Sequence, residues 1–175
     1  MKVHRTKLHR GVTVFLVIVC CISSMLLAEG KPVVQAKSKD KSKASWQWPV
    51  DGGRVGDGFG AGRGHTGVDI LKSGGSDIYA AKSGKVVYSA YHGEYGNLIV
   101  IRHKNDCYSF YSHCSKRKVK AGKTVKKGDI IGKVGSTGRA SANHLHFEIR
   151  KGNAVSGLNN SSVFLLKATN PMRKF

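Results

Sequence analysis

The sequence predicts an all-β domain, built as a small antiparallel sheet or sandwich with glycine-rich loops and little helix, behind an apolar N-terminal segment. Glycine makes up 22 of the 175 residues, about one in eight against a usual share of roughly 7%. Proline occurs only three times, and no Gly-X-Y period is present, which excludes collagen. Apolar runs after Trp46 are short, and no window keeps a helical period for more than two turns.

Five segments carry the clearest strand pattern. Each is rich in Val, Ile, Tyr or Phe, side chains that pack well on a pleated sheet. Turn-forming residues at 94–97 and 104–106 separate neighbouring segments, as expected between antiparallel strands. The predicted strands are 85–91, 97–103, 107–113, 130–134 and 145–151.

The N-terminus has the pattern of a secretory signal. Residues 1–10 hold four Lys or Arg and no acid, and residues 11–28 carry no charge. Small residues near Ala36 offer a cleavage site. The apolar run of 18 residues also lies at the lower edge of a bilayer span, so an uncleaved anchor is an alternative. A buried core helix fits less well, because basic residues crowd one end.

The chain therefore divides into three parts. Residues 1–36 are predicted to be a signal peptide or signal anchor. Residues 37–45 hold no apolar residue larger than Ala and are predicted to be a flexible basic tether. Residues 46–175 are predicted to form the folded domain. A signal of this kind predicts a domain outside the cytoplasm, either secreted or tethered to the membrane if the N-terminal segment is retained.

The net charge of +20 comes from 30 Lys and Arg against 10 Asp and Glu, and it predicts an anionic partner. The folded part alone keeps 21 basic against 8 acidic residues. Its densest basic segment is either a solvated loop or a surface for anionic wall polymers. No recognition helix or aromatic platform indicates specific nucleic-acid binding. The basic residues are Lys116, Arg117, Lys118, Lys120, Lys123, Lys126 and Lys127.

Two other features have less specific meaning. Cys107 and Cys114 lie seven residues apart in one predicted strand, roughly 23 Å when extended, which is too far for a disulfide. They are expected to be free or buried thiols.

Residues 62–67 match the glycine pattern of a dinucleotide-binding loop, but residues 68–71 continue as an extended segment. Because that pattern needs a following helix, nucleotide binding is not expected.

The last of the five predicted strands, with the residue before it, holds an alternating motif that indicates metal binding. His144, His146 and Glu148 are two residues apart and therefore share one face of a strand, while the apolar residues between them face the core. A polar row facing solvent is the alternative. His92 and His103 lie beside turn residues and are expected to be solvated surface residues.

A second cluster comes earlier in the chain. His65 lies among glycines and Asp69 follows in an extended segment, so a loop running into a strand would bring both side chains to one ion. With His113 and the two histidines of the later motif, the chain offers four imidazoles and one carboxylate. A catalytic zinc site needs three protein ligands and an open position for water. The two surplus histidines would then serve as general bases or transition-state donors.

Several motifs together resemble one known family. The motifs WPVDGG, FG and GHTGVDI open the match, followed by YGNLIVIRH and YSH, then V..GD.IG..GSTG, and finally HLHFE. In this order and spacing, residues 46–151 resemble the lysostaphin-type (LytM-like) zinc endopeptidases of peptidoglycan. Cys114 and residues 140–143 depart from the family's usual residues without removing any histidine or aspartate of the two clusters.

The resemblance implies a specific site and activity. It implies that His65, Asp69 and His146 bind Zn²⁺, and that His113 and His144 flank the water that the metal activates. The implied function is hydrolysis of peptide stems or cross-links of bacterial peptidoglycan. Peptidoglycan is therefore the expected partner of the protein. A non-hydrolytic wall-binding or scaffold protein on the same fold is the alternative. Neither the bond cleaved, glycyl or D-alanyl, nor the separate roles of the two catalytic histidines follow from the sequence.

Overall fold

A computed structural model describes residues 45–62, 64–152 and 160–175. The predicted signal or anchor at 1–36 and all but the last residue of the tether at 37–45 lie outside the described residues. Within the described ranges, no helix is long and apolar enough to cross a membrane.

The described chain folds almost entirely into β-strands, which confirms the all-β prediction. Three short 3₁₀ helices are the only helical elements among the described residues: η1 Gly93–Tyr95, η2 Asn160–Leu165 and η3 Pro171–Lys174. All five predicted strands are present, with ends shifted by at most one residue. The strands are β1 Arg54–Val55, β2 Val68–Leu71, β3 Asp77–Tyr79, β4 Gly84–His92, β5 Gly96–His103, β6 Cys107–Ser112, β7 Lys116–Arg117, β8 Thr124–Val125, β9 Ile130–Lys133, β10 His144–Lys151 and β11 Lys167–Thr169.

The strands form two antiparallel sheets. The large sheet has the order β1-β2-β10-β6-β5-β4-β8, and the small sheet has the order β3-β9-β7. Strand β10 lies inside the large sheet, with β6 along one edge. Its other edge pairs first with β2 and then with β11, so the C-terminal strand β11 continues the pairing where β2 ends.

Alternation along the central strands fills two cores. In β5, Ile99 and Ile101 belong to the larger apolar cluster, which also contains residues of the small sheet. Leu98 and Val100 point to the opposite face and pack with Phe110 and η2 in the second cluster. The large sheet is therefore covered on both faces around its central strands, and β6 is buried along its whole length.

Strand β10 shows the consequence of this double covering. Its predicted apolar face is confirmed, because Leu145, Phe147 and Ile149 lie in the larger cluster. The opposite face is also buried, and Glu148 has no exposed surface. A solvent-facing polar row is therefore wrong for this strand. The reason is that η2 and Tyr95 cover this face.

The expectation for His103 is also wrong. Its side chain is 4% exposed, packs edge-on against Trp46 and lies 3.0 Å from the Ser83 carbonyl oxygen and 2.8 Å from the Ser109 hydroxyl. His92, expected at the surface, is half-buried and stacks on the ring of Phe164. Residues distant in sequence bury both rings, which local turn residues do not reveal.

The cysteine prediction is confirmed. Cys107 and Cys114 are buried free thiols, and both pack in the larger apolar cluster. Burial raises the pKa of the Cys114 thiol to about 12, so this side chain acts as a small apolar group.

Candidate metal centre

Three side chains from two segments meet at one end of the large sheet. Asp69 on β2 pairs directly across the strands with His146 on β10. His65 lies four residues before Asp69 in a glycine-rich loop, where its backbone N–H donates to the Ala61 carbonyl and its own carbonyl accepts from Gly60 N–H. The loop thus brings His65 back over the strand pair.

The ligand atoms of these residues form a compact triangle. His65 Nε2 lies 3.2 Å from Asp69 Oδ1 and 3.0 Å from His146 Nδ1. His146 Nδ1 lies 2.8 Å from Asp69 Oδ1. All three side chains are largely buried, with 10–19% of their surface exposed.

Each imidazole is oriented through its outer nitrogen. His65 Nδ1 lies 2.9 Å from the Gly58 carbonyl oxygen, and His146 Nε2 lies 2.9 Å from Glu148 Oε1. Both partners can only accept hydrogen bonds, so the outer nitrogen of each ring carries the proton. In the neutral rings, Nε2 of His65 and Nδ1 of His146 are therefore unprotonated.

These three ligand atoms can hold a metal ion, and their chemistry fits zinc. Two nitrogen lone pairs and a carboxylate oxygen at these distances repel one another unless a positive charge lies among them. Two imidazoles and one carboxylate are a ligand set found in catalytic zinc sites, and bonds of ~2.0–2.1 Å in a tetrahedron separate ligand atoms by about 3.3 Å. His65, Asp69 and His146 meet both conditions.

In the metal-free protein, the pKa shifts of His146 and Asp69 favour a protonated imidazole beside an ionised carboxylate. Burial alone would lower the pKa of His146, but hydrogen bonds to Asp69 and Glu148 raise it to about 9. Burial alone would raise the pKa of the Asp69 carboxyl, yet the hydrogen bond to His146 and the neighbouring imidazoles lower it overall. A metal ion bound here must displace the proton that His146 otherwise carries.

The two other predicted histidines lie beside this triangle. The ring centroid of His113 is 4.6 Å from that of His144 and 5.9 Å from that of His146. His144 Nε2 lies 3.7 Å from Asp69 Oδ1. The structure therefore brings all five predicted site residues to one place.

Both of these histidines also have a fixed tautomer. His113 Nδ1 lies 2.8 Å from the Thr137 carbonyl oxygen, and His144 Nδ1 lies 2.9 Å from the Ala142 carbonyl oxygen. Each Nδ1 therefore carries the proton, and Nε2 of each neutral ring has a free lone pair that can accept a proton. Burial lowers the pKa of His113 to about 4, so this ring is neutral at physiological pH.

An open cleft leads to the five residues. Tyr95 and Thr66 form part of its wall, and Glu94 and Arg139 lie at its rim. Arg139 Nη1 lies 2.9 Å from Glu94 Oε1, and both side chains are mostly exposed. The cleft opens the five residues to solvent.

A family model describes most of this region. The model for Peptidase family M23 matches residues 63–159, which include all five site residues. The chain belongs to peptidase family M23. This result confirms the resemblance to lysostaphin-type peptidases.

Known relatives of this M23 chain include activators and peptidases. It is 39% identical over 146 residues to the "Murein hydrolase activator NlpD" of Salmonella typhimurium, covering 81% of this chain and 38% of that protein. The catalytic domain of the antimicrobial peptidase lysostaphin from Staphylococcus simulans is 34% identical with a TM-score of 0.59, covering 69% of this chain and 90% of that one. A zinc-containing peptidase from Vibrio cholerae is 31% identical with a TM-score of 0.59, covering 71% and 38%. This chain thus spans less than two-fifths of the length of the NlpD relative.

Sequence reasoning missed part of this M23 site. Thr66, Tyr95, Glu148 and Arg150 form a polar network behind His146, with Glu148 at its centre. The alternation of β10 does place Glu148 on the face of His146. That signal could have identified Glu148 as a partner of the imidazole, but it does not show that the face is buried.

Proposed function

We propose that this M23 chain is a zinc-dependent endopeptidase that hydrolyses peptide stems or cross-links of bacterial peptidoglycan. The convergence of His65 Nε2, Asp69 Oδ1 and His146 Nδ1 within 3.2 Å of one another supports this function most directly. The open cleft and the similarity to lysostaphin and a zinc-containing peptidase support it further.

The proposed chemistry uses the remaining two histidines for proton movement. Zinc in such a site lowers the pKa of a water molecule and polarises the scissile carbonyl. His113 is neutral at physiological pH, because burial lowers its pKa, and its Nε2 can accept a proton. His144, whose ring centroid lies 4.6 Å from that of His113, offers its own Nε2. A ring that has accepted a proton can donate it to the leaving amine or stabilise the developing oxyanion.

Incubation with purified cell walls tests this function. The wild-type protein is expected to release new amino termini, to stop when a chelator is added and to resume when zinc is restored. His146→Ala is the matched variant and should release none. No release from several chemically distinct wall types, with zinc present, would contradict the proposal.

A second candidate is the activation of a separate wall hydrolase. The activator name of the NlpD relatives favours this candidate. It predicts that the protein accelerates an added hydrolase and that His146→Ala does so equally well. Under the endopeptidase proposal, cleavage occurs without an added hydrolase and is lost in His146→Ala.

We also propose that the basic segment 116–127 contacts anionic polymers of the wall. The structure places it on β7, β8 and their connections, and Lys120, Lys123 and Lys126 are exposed. Lys118 forms an ion pair with Asp77, with its Nζ 3.4 Å from Asp77 Oδ1. The high local positive charge would concentrate the enzyme at an anionic wall by long-range attraction.

Export follows from the proposed substrate. We infer that residues 1–36 deliver the domain at 46–175 outside the cytoplasm, with 37–45 as the tether. N-terminal sequencing of the protein from the medium and from membrane fractions would separate a cleaved signal from a retained anchor. Recovery of the domain in the cytoplasm alone would contradict export.

A further inference from the structure

The buried carboxylate of Glu148 joins the segments that carry the metal ligands. Its Oε1 accepts hydrogen bonds from Thr66 Oγ1 at 2.7 Å, Tyr95 Oη at 3.2 Å and His146 Nε2 at 2.9 Å. Thr66 follows His65 in the metal-site loop. One oxygen atom therefore fixes the ring of His146 and anchors the loop that carries the other imidazole.

Arg150 binds the other oxygen of this carboxylate. Its Nε lies 2.6 Å from Glu148 Oε2, and its Nη2 lies 2.8 Å from Tyr95 Oη. Arg150 is only 5% exposed, and its guanidinium lies over the Phe110 ring at 4.8 Å. A buried carboxylate needs such a partner, because an unpaired charge inside a protein is strongly destabilising.

The C-terminal segment 160–169, comprising η2 and β11, holds Arg150 in turn. Arg150 Nη1 donates to the carbonyl oxygens of Phe164 and Leu166, and β11 pairs with β10 at Arg150 itself. The ring of Phe164 packs against Tyr95 and Phe110. This segment follows the residues 63–159 that match the family model.

We propose that segment 160–169 is a clamp that sets the geometry and zinc affinity of the metal centre. It acts through Arg150 and Glu148, which are positioning residues and do not touch the metal. The inference rests on the proposed zinc site. The physical reason is that an imidazole held in one rotamer and one tautomer binds zinc without first losing rotational freedom.

Zinc affinity of the full chain, measured by competition with a chromophoric chelator, tests the clamp without relying on catalysis. Phe164→Ala removes the ring that seats the segment, while Leu165→Ala changes its 88% exposed neighbour. The zinc dissociation constant is expected to rise on the order of tenfold in Phe164→Ala and to stay within twofold of wild type in Leu165→Ala.

Two further variants test the polar link. Arg150→Lys keeps a positive charge beside Glu148 but cannot span Glu148 and both carbonyl groups. Glu148→Gln keeps an acceptor but removes the charge. Each is expected to weaken zinc binding roughly 10–100-fold, whereas Lys151→Met, at the exposed end of the same strand, should not.

Thermal unfolding of the metal-free variants separates positioning from a merely structural role. Folded variants that unfold at lower temperature yet bind zinc within twofold of wild type would overturn the clamp. If one variant does not fold, the others decide by the same criterion. Wild-type protein that binds no zinc would instead overturn the proposed function, and the clamp with it.

Discussion

At the scale of single residues, the backbone at His113 shows how tightly the site is specified. His113 has a φ of 60°, in the left-handed region that is costly for residues other than glycine. Its N–H donates to the Tyr95 carbonyl, and its Nδ1 donates to the Thr137 carbonyl. The surrounding hydrogen bonds hold this conformation, which turns the ring towards His144.

Replacing either of the two histidines that we propose to transfer protons should remove catalysis but retain the metal. In His113→Ala and His144→Ala, kcat for wall-peptide cleavage is expected to fall ~10²–10⁴-fold, because no lone pair then accepts a proton beside the substrate. Zinc content, measured by elemental analysis, should stay at the wild-type level. Tyr91→Ala, at a side chain that is 61% exposed, is the control and should keep its kcat. Full activity in both single variants would contradict the assigned roles.

His103 makes the fold sensitive to acid. Burial lowers its pKa to about 4 from an ordinary value of 6.5, so the unfolded chain binds this proton more readily than the folded chain. The free energy of unfolding should therefore fall as pH decreases from 6.5 to 4, by up to about 3 kcal/mol for this group. Above pH 6.5 the contribution of His103 is constant.

Urea unfolding of His103→Leu and wild type, in excess chelator, measures the contribution of His103 to the pH dependence of the unfolding free energy. The slope of unfolding free energy between pH 4 and 6.5 should be smaller in the variant, although its stability at pH 7 can differ through lost packing. Equal slopes in the two proteins would show that burial of this imidazole does not control the acid response.

At the scale of elements, the turn between β4 and β5 supports the loop that orients His113. Gly96 has a φ of 63°, and a Cβ added there would meet the Thr137 carbonyl oxygen at 2.3 Å. That oxygen is the acceptor for His113 Nδ1. A side chain at this position would therefore displace the group that fixes the catalytic tautomer.

Gly96→Ala is expected to lower kcat on the order of 100-fold, because small displacements of catalytic groups are costly. Gly93→Ala is the matched control, since Gly93 also has a positive φ but open space around its Cβ position. Gly93→Ala should lose roughly 1 kcal/mol of stability to backbone strain, and Gly96→Ala should lose more, because its Cβ also collides with the Thr137 carbonyl group. Comparable kcat values in the two variants would contradict this account of the loop.

The same strands show what the sequence could and could not predict. Period-two alternation was enough to place Leu145 in the core and His144 with His146 on one face. It could not show that this second face is covered, because the cover comes from η2 and Tyr95, which lie outside the strand. The burial of His103 by Trp46 escaped prediction for the same reason. Local pattern specifies which way a side chain points, whereas the neighbours it meets depend on chain topology.

At the scale of the whole molecule, positive charge and the cleft of the candidate metal centre lie on different parts of the chain, and we propose separate roles for them. The domain carries 21 Lys and Arg against 8 Asp and Glu, and the basic segment 116–127 holds seven of those cations. The metal centre itself contains one carboxylate and four histidines. Attraction to the wall should therefore be separable from hydrolysis.

Charge reversal in the basic segment tests this separation. Lys120→Glu with Lys123→Glu should weaken co-sedimentation with anionic wall polymer at low salt, because the local attraction falls. The difference from wild type should shrink in 0.5 M salt, where charges are screened within about 4 Å. Cleavage of a small soluble muropeptide should be unchanged. Lys104→Glu with Lys151→Glu, at two exposed positions outside the segment, is the control with the same change in net charge, and an equal loss of binding there would show that net charge alone matters.

The zinc dependence of cleavage is the decisive test of the proposed endopeptidase. Metal-free protein is titrated with zinc, and cleavage of a defined cross-linked muropeptide is measured by mass spectrometry. We expect no cleavage without zinc, a rate that rises linearly up to one equivalent of zinc, and no activity at any zinc level in Asp69→Ala. Undiminished cleavage by the metal-free protein, or cleavage that persists in Asp69→Ala, would contradict the proposed zinc mechanism.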